Sequence, residues 1–331
     1  MKNFSCSCGQ TLFFENTRCL NCDKQVGFDP TDLRMYPLNP DTKPSPTSAR
    51  TLCRNSADFD VCNWFVTDPG RNYCLSCQLN HTIPNLLVPD RRRWWKNLEQ
   101  AKRRLIYSLL TLRLPVKSKD IEPDGLAFEF IEDKRTNPHV FEEHVNTGHA
   151  NGLITINIIE ADRVSREITR QYTGELYRTL LGHFRHESGH YYFNRLVNSP
   201  ALLDEFRILF GDERQDYASS LQEYYANKRS KVRDPNLISH YAQAHPFEDW
   251  AEVWSHYLHM VDTLETAAEY DMQQGSKLFD DIDQLLGKWS DLSMMLNSLN
   301  RSMGLEDAYP FVLSDLTLNK LRFVHGLIYP S

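Results

Sequence analysis

Beyond Cys77 the chain has no cysteine: all eight lie between Cys6 and Cys77. That absence excludes a disulfide framework for the larger part of the protein and confines thiol chemistry to its front. No apolar run approaches the length of a membrane span. Residues 1–8 (MKNFSCSC) lack the apolar core of a signal peptide, so a cytoplasmic protein without a membrane partner is expected. An excess of positive charge is also absent. With 37 Lys and Arg against 44 Asp and Glu the net charge is −7, which argues against bulk nucleic-acid binding. No internal repeat is visible. What remains is an ordinary globular composition, 41% hydrophobic and 24% charged, over 331 residues, enough for one large domain and one small one.

The cysteines fall into two sets. Cys6-x-Cys8 and Cys19-x-x-Cys22 are two knuckles separated by a hairpin-length spacer, the pattern of a zinc ribbon with four thiolates around one structural ion. Cys53, Cys62, Cys74 and Cys77 are spaced more loosely and read as a second structural zinc site, with His81 as a substitute for one of them. Between the sets, residues 36–48 are dense in Pro, Ser and Thr and read as an exposed connection.

From Asp90, a plausible helix N-cap, apolar residues recur at helical spacing (Trp94, Trp95, Leu98, Leu105, Leu109, Leu112) until Pro115. The basic clusters at 91–93 and 102–104 are read as the solvated face of this helix rather than as a nucleic-acid contact. Residues 125–131 and 153–159 read as strands, the second as an edge strand against which a peptide would align. His149 just before it reads as a surface loop residue. From Ala161 onward the chain reads as almost wholly helical.

The helix expected over 174–197 contains H-E-x-x-H: His186, Glu187 and His190. Positions i and i+4 share a helix face, so both imidazoles can grip one metal ion, and Glu187 is placed to take a proton from water there. Catalytic zinc needs a third protein ligand. No third His follows at the metzincin spacing, since the chain continues as Tyr191-Tyr-Phe-Asn-Arg-Leu. A Glu on a later helix is the other solution, and Glu248-x-x-Ala251-Glu252 fits, with Glu252 placed to fix the tautomer of His186. Glu265-x-x-Ala268-Glu269 fits the same loose pattern, and Glu223 is a weaker rival. Pro246 favours Glu248 by setting it in a first helical turn. His183, His256 and His259 read as packing or surface residues. An oxyanion donor is also required. Tyr241, seven residues before Glu248, is preferred, with Tyr191, Tyr192, Tyr224, Tyr225 and His245 as competitors.

Four stretches taken together, TGHANGLITIN (147–157), LLGHFRHESGHYY (180–192), FGDER (210–214) and AHPFEDWAE (244–252), resemble the bacterial zinc-binding metallopeptidases that carry an N-terminal zinc-ribbon-like domain. The likeness covers essentially the whole chain. It implies a gluzincin-like site: His186 and His190 as ligands of a catalytic zinc, Glu248 as the third ligand and Glu187 as general base. The Tyr241–Glu248 spacing is similar to that of lethal-factor-like toxin domains, which implies Tyr241 as oxyanion donor. The long stretch between His190 and Glu248 is then an insertion.

The expected fold is α+β: a zinc-ribbon-like domain over 1–88 followed by a mainly helical, zincin-like catalytic domain with a small sheet over 89–331. The expected function is hydrolysis of a peptide or protein substrate. The alternative is a protein- or nucleic-acid-binding zinc-ribbon module with a vestigial peptidase domain, in which the ribbons would hold a protein partner.

Overall fold

The structure is a computed structural model, and it describes residues 1–38, 50–227, 234–272 and 281–330. Most of the Pro-, Ser- and Thr-rich stretch expected as an exposed connection lies outside them. The chain divides into two compact units, Met1–Arg166 and Glu167–Ser331. As expected, an N-terminal cysteine-rich region precedes a mainly helical one.

The first unit opens with short antiparallel pairs that present the cysteines. β1 (Phe4–Ser5) pairs with β2 (Thr11–Leu12), β3 (Val26–Asp29) with β4 (Arg34–Pro37), and β5 (Thr51–Leu52) with β6 (Phe65–Val66) around the short helix α1 (Arg54–Phe59). Strands this short bury little. Their apolar centre is an aromatic cluster in which Phe28 lies 4.9 Å from Phe14 and 4.8 Å from Trp64, ring to ring. Tyr107 of α2 (Arg91–Thr111) completes it, 5.2 Å from Phe14.

α2 departs from expectation in two ways. Asp90 precedes it but sits in the left-handed region at φ 67° and makes no capping bond. More consequential, three of its six clustered cations are buried rather than solvated: Arg91, Lys102 and Arg103. Each has a fixed internal partner, as a buried charge must. Arg91 pairs with Glu132, Arg103 donates to the Val61 carbonyl at 2.6 Å, and Lys102 lies 2.9 Å from Glu99. The buried Glu99 also accepts from Trp95 at 3.0 Å and from Asn80 at 2.7 Å, which satisfies it fully.

The sheet has the order β7 (Asn80–Thr82), β8 (Ala127–Ile131), β10 (Leu153–Asn157), β9 (Gly148–Ala150). β10 pairs in parallel with β8 and antiparallel with β9, so the strand expected at the edge is interior. The edges are β7 and β9, three-residue strands too short to show a period in the sequence. His149, expected in a surface loop, lies on β9 and accepts from the Gly152 N–H at 2.9 Å, which fixes the turn between β9 and β10. α3 (Arg163–Thr173) follows.

The second unit is built on two helices. α4 (Leu180–Leu196) begins at Thr179, which caps it by accepting from Gly182, several residues later than expected, and it stops before Pro200 opens α5 (Pro200–Phe210). α6 (Tyr217–Asn227), α7 (Pro246–Ala268), α8 (Ile282–Ser302) and α9 (Asp315–Ile328) follow. α4 and α7 approach closely where Gly189 meets Ala251: a Cβ on Gly189 would lie 3.0 Å from the Ala251 Cα and 3.1 Å from the Trp254 ring. Here the indoles of Trp250 and Trp254 donate to the Gly189 carbonyl at 2.8 Å and to the Ser188 hydroxyl at 3.0 Å. Tyr192 stacks on Trp254 at 5.1 Å, and the buried Arg185–Asp262 pair at 2.5 Å ties the same helices a turn further on. Lys320 of α9 reaches Asp249 of α7 at 2.5 Å, both buried.

A Cβ at Gly189 already requires its neighbours on α7 to give, and a branched side chain asks for more room still. Gly189→Val is expected to destabilise the protein by about 2–3 kcal/mol, read as a lowered thermal midpoint for the helical unit. An unchanged midpoint would show that the helices yield freely.

Candidate functional site

The crossing of α4 and α7 brings the expected ligands together. His186 and His190 project from one face of α4, and Glu248 lies in the first turn of α7, with Pro246 at its first position and His245 as N-cap. Acidic side chains suit that turn because it presents unpaired N–H groups and the positive end of the helix dipole. His245 caps through Nδ1, which accepts from the Phe247 N–H at 3.1 Å, while Nε2 donates to the Gln215 carbonyl at 3.1 Å. Those two bonds select its neutral Nε2–H tautomer.

Glu248 Oε2 stands 2.9 Å from His186 Nε2 and 3.6 Å from His190 Nε2. Donor atoms bound tetrahedrally to zinc at about 2.0–2.1 Å are about 3.3 Å apart, and the observed separations bracket that value. The three residues can each offer one atom so that all lie within 4.8 Å of one another. On the far side of His186, Nδ1 donates to Glu252 Oε1 at 2.7 Å, the carboxylate–histidine arrangement that leaves Nε2 for a metal. The donor set therefore fits zinc.

Charge makes the same point. Burial works against ionised Glu248, yet hydrogen bonds from His186 and His190 outweigh it and hold its carboxyl well below the usual range. Burial likewise disfavours a charged His186, and its bonds to Glu248 and Glu252 overcome that and push it well above the ordinary histidine range. A proton on the imidazole and a divalent cation between the same groups answer one electrostatic demand. Glu187 differs. Burial raises its pKa, only partly offset by the two imidazoles, and its carboxylate has no hydrogen-bond partner among the described residues. It is a buried base with nothing to do in the fold itself.

Tyr241 lies beside His186, ring centroids 5.8 Å apart, and its hydroxyl makes no hydrogen bond among the described residues. Burial raises its pKa, with Glu248 adding to the effect, so it remains a proton donor. The competitors have other roles. Tyr191 and Tyr192 are buried in the core, Tyr224 bonds His240 at 2.8 Å, Tyr225 is exposed, and His245 caps α7. Glu265 is buried further along α7 and Glu223 is exposed on α6, and neither joins the cluster. His183 does not join it either. His256 and His259, expected as helix-surface residues or as supports beside the ligands, pack elsewhere: the buried His256 bonds the Tyr309 hydroxyl at 2.9 Å, and the half-buried His259 lies against Trp289 at 5.7 Å. One side chain escaped the sequence reading altogether. Tyr217, at the start of α6, donates to Glu248 Oε1. Nothing in the local pattern marks it, because its partner is supplied by the fold.

Both cysteine sets also converge. Thiolates on a tetrahedral zinc at about 2.3 Å stand about 3.8 Å apart. Here Cys6–Cys22 is 3.7 Å, Cys8–Cys19 3.5 Å and Cys62–Cys74 3.6 Å, distances far beyond a disulfide. All four sulfurs of the second set are buried, where four thiolates exceed the charge of one zinc ion. The buried Arg103 answers that excess: burial disfavours its charge, and nearby Cys62, Glu99, Cys77 and Cys74 more than restore it. His81 is no substitute ligand. It is exposed and lies 3.7 Å from Glu129.

Residues 91–327 match the family described as "Putative zinc-binding metallo-peptidase", and residues 3–88 match a zinc-ribbon domain. Uncharacterized proteins of Mycobacterium bovis and of two Mycobacterium tuberculosis strains are each 40% identical over 339 positions, covering 99% of this chain and 95% of the relative. No solved structure matches the chain. The chain belongs to the zinc-binding metallo-peptidase family whose model spans its residues 91–327.

Proposed function

We propose that the protein is a zinc-dependent, gluzincin-like peptidase, with His186, His190 and Glu248 as ligands of the catalytic ion and Glu252 as the residue that orients His186. The observation that carries this is the pairing of a three-ligand cluster with an unpartnered buried carboxylate, Glu187, on the same helix. Zinc held there supplies Lewis acidity, polarising a carbonyl and making water more acidic. Glu187 accepts the proton of the attacking water and delivers it to the leaving amine, a role that an already satisfied carboxylate would perform poorly. Tyr241, its hydroxyl uncommitted, donates a hydrogen bond to the oxyanion that forms as the carbonyl is attacked. The substrate is a peptide or protein. The two four-cysteine sites have no open ligand position and serve as structural staples for a region of very short strands. Residues 1–88 then form the ribbon domain and 89–331 the catalytic one, a division supported by the two family matches.

Metal analysis is expected to give about three zinc ions per chain, with His186→Ala losing one and keeping the thiolate-held pair. A single zinc per chain would overturn the assignment. In assays on a peptide library, Glu187→Gln is expected to retain its full metal content and lose about 10²–10⁴-fold in turnover. Hydrolysis at the wild-type rate by that variant would remove Glu187 from the mechanism. Tyr241→Phe is expected to lower kcat by about 10²–10³ with KM little changed, and a KM effect alone would instead mark Tyr241 as a substrate contact.

A further inference from the structure

The long stretch between His190 and Glu248 returns one side chain to the ligands. After α5 the chain turns sharply and is braced there. Arg207 makes paired hydrogen bonds to Glu213 at 3.0 and 2.6 Å, and Arg214 to Asp212 at 2.8 and 2.9 Å. The next segment is hooked to α7, since the Gln215 carbonyl accepts from His245, the residue that caps the ligand helix. Two residues on, the Tyr217 ring meets the His245 ring edge to face at 5.1 Å. Its hydroxyl then donates to Oε1 of Glu248, the oxygen that does not face the imidazoles.

We propose that Tyr217 is a positioning residue that restricts Glu248 to ligation through a single oxygen. The inference rests on the reading of His186, His190 and Glu248 as metal ligands. A carboxylate with both oxygens free can chelate a metal through both, which fills a coordination position that a catalytic site keeps open. Glu248 is 1% exposed, so water cannot readily occupy Oε1 in place of the phenol. The Tyr217 hydrogen bond holds that oxygen away from the ion and aims Oε2 between the two histidines. The intervening helices thus contribute to the metal site instead of merely lengthening the connection.

The test uses the full chain substituted with cobalt(II), with the His186→Ala variant subtracted so that the thiolate sites cancel. Tyr217→Phe is expected to weaken the visible d–d bands and shift them toward a higher coordination number, as Glu248 turns to offer both oxygens. Zinc affinity by chelator competition is expected to fall about 10–100-fold. Tyr225→Phe, which alters an exposed neighbour on the same helix, serves as the control and should superimpose on wild type. In a Glu248→Ala background, adding Tyr217→Phe should leave zinc affinity unchanged, an outcome that a general loss of packing would not produce. A Tyr217→Phe cobalt spectrum identical to wild type would overturn the proposal. Failure of the underlying reading is distinct: wild type and His186→Ala would then bind the same amount of cobalt.

Discussion

The contact between Gly189 and Ala251 sets the distance between α4 and α7, and the proposed metal ligands inherit it. With no side chain on one helix and a single methyl on the other, the backbones come close enough for two indole N–H groups to bond across the gap. A helix pair at ordinary spacing would carry His186 and Glu248 too far apart to share an ion. His186, His190 and Glu248 are thereby positioned by packing outside their cluster, and the indole bonds and the Arg185–Asp262 pair keep the helices from sliding. Precision at the site comes from rigidity in the crossing.

Around this crossing, each functional side chain has its other contacts arranged by a different element. Glu252, on α7, fixes the tautomer of His186, and His245 caps the helix that carries Glu248. Glu187 and Tyr241 are exceptions, with polar ends uncommitted among the described residues. In a protein interior, where buried polar groups are nearly always paired, such exceptions are consistent with the roles proposed for them above.

The sequence made the centre of this arrangement legible. The i, i+4 histidines, the small Ala251 and the Pro246 helix start are local patterns, and each has a local physical reason. The cysteine knuckles were readable on the same grounds. What escaped depends on partners far away in the chain. Arg91 and Arg103 read as part of a solvated face because nothing nearby reveals that Glu132 and the Val61 carbonyl come to meet them. Tyr217 was hidden for the same reason. Nothing in 153–159 places β10 inside the sheet, because alternation reports which face of a strand is buried and not how many neighbours it has.

The Asp249–Lys320 pair has a consequence for the order of assembly. Asp249 is adjacent to Glu248, and burial lifts its pKa to about 6 even with the opposing influence of Lys320. Lys320 lies 71 residues further along the chain. During synthesis, then, the first turn of α7 carries a carboxylate without its cation until α9 has emerged from the ribosome. The ligand helix reaches its final charge balance only when nearly the whole helical unit exists. The turn that carries Glu248 is thereby stapled to the last helix, so the start of α7 and α9 are stabilised together although they lie far apart in the chain.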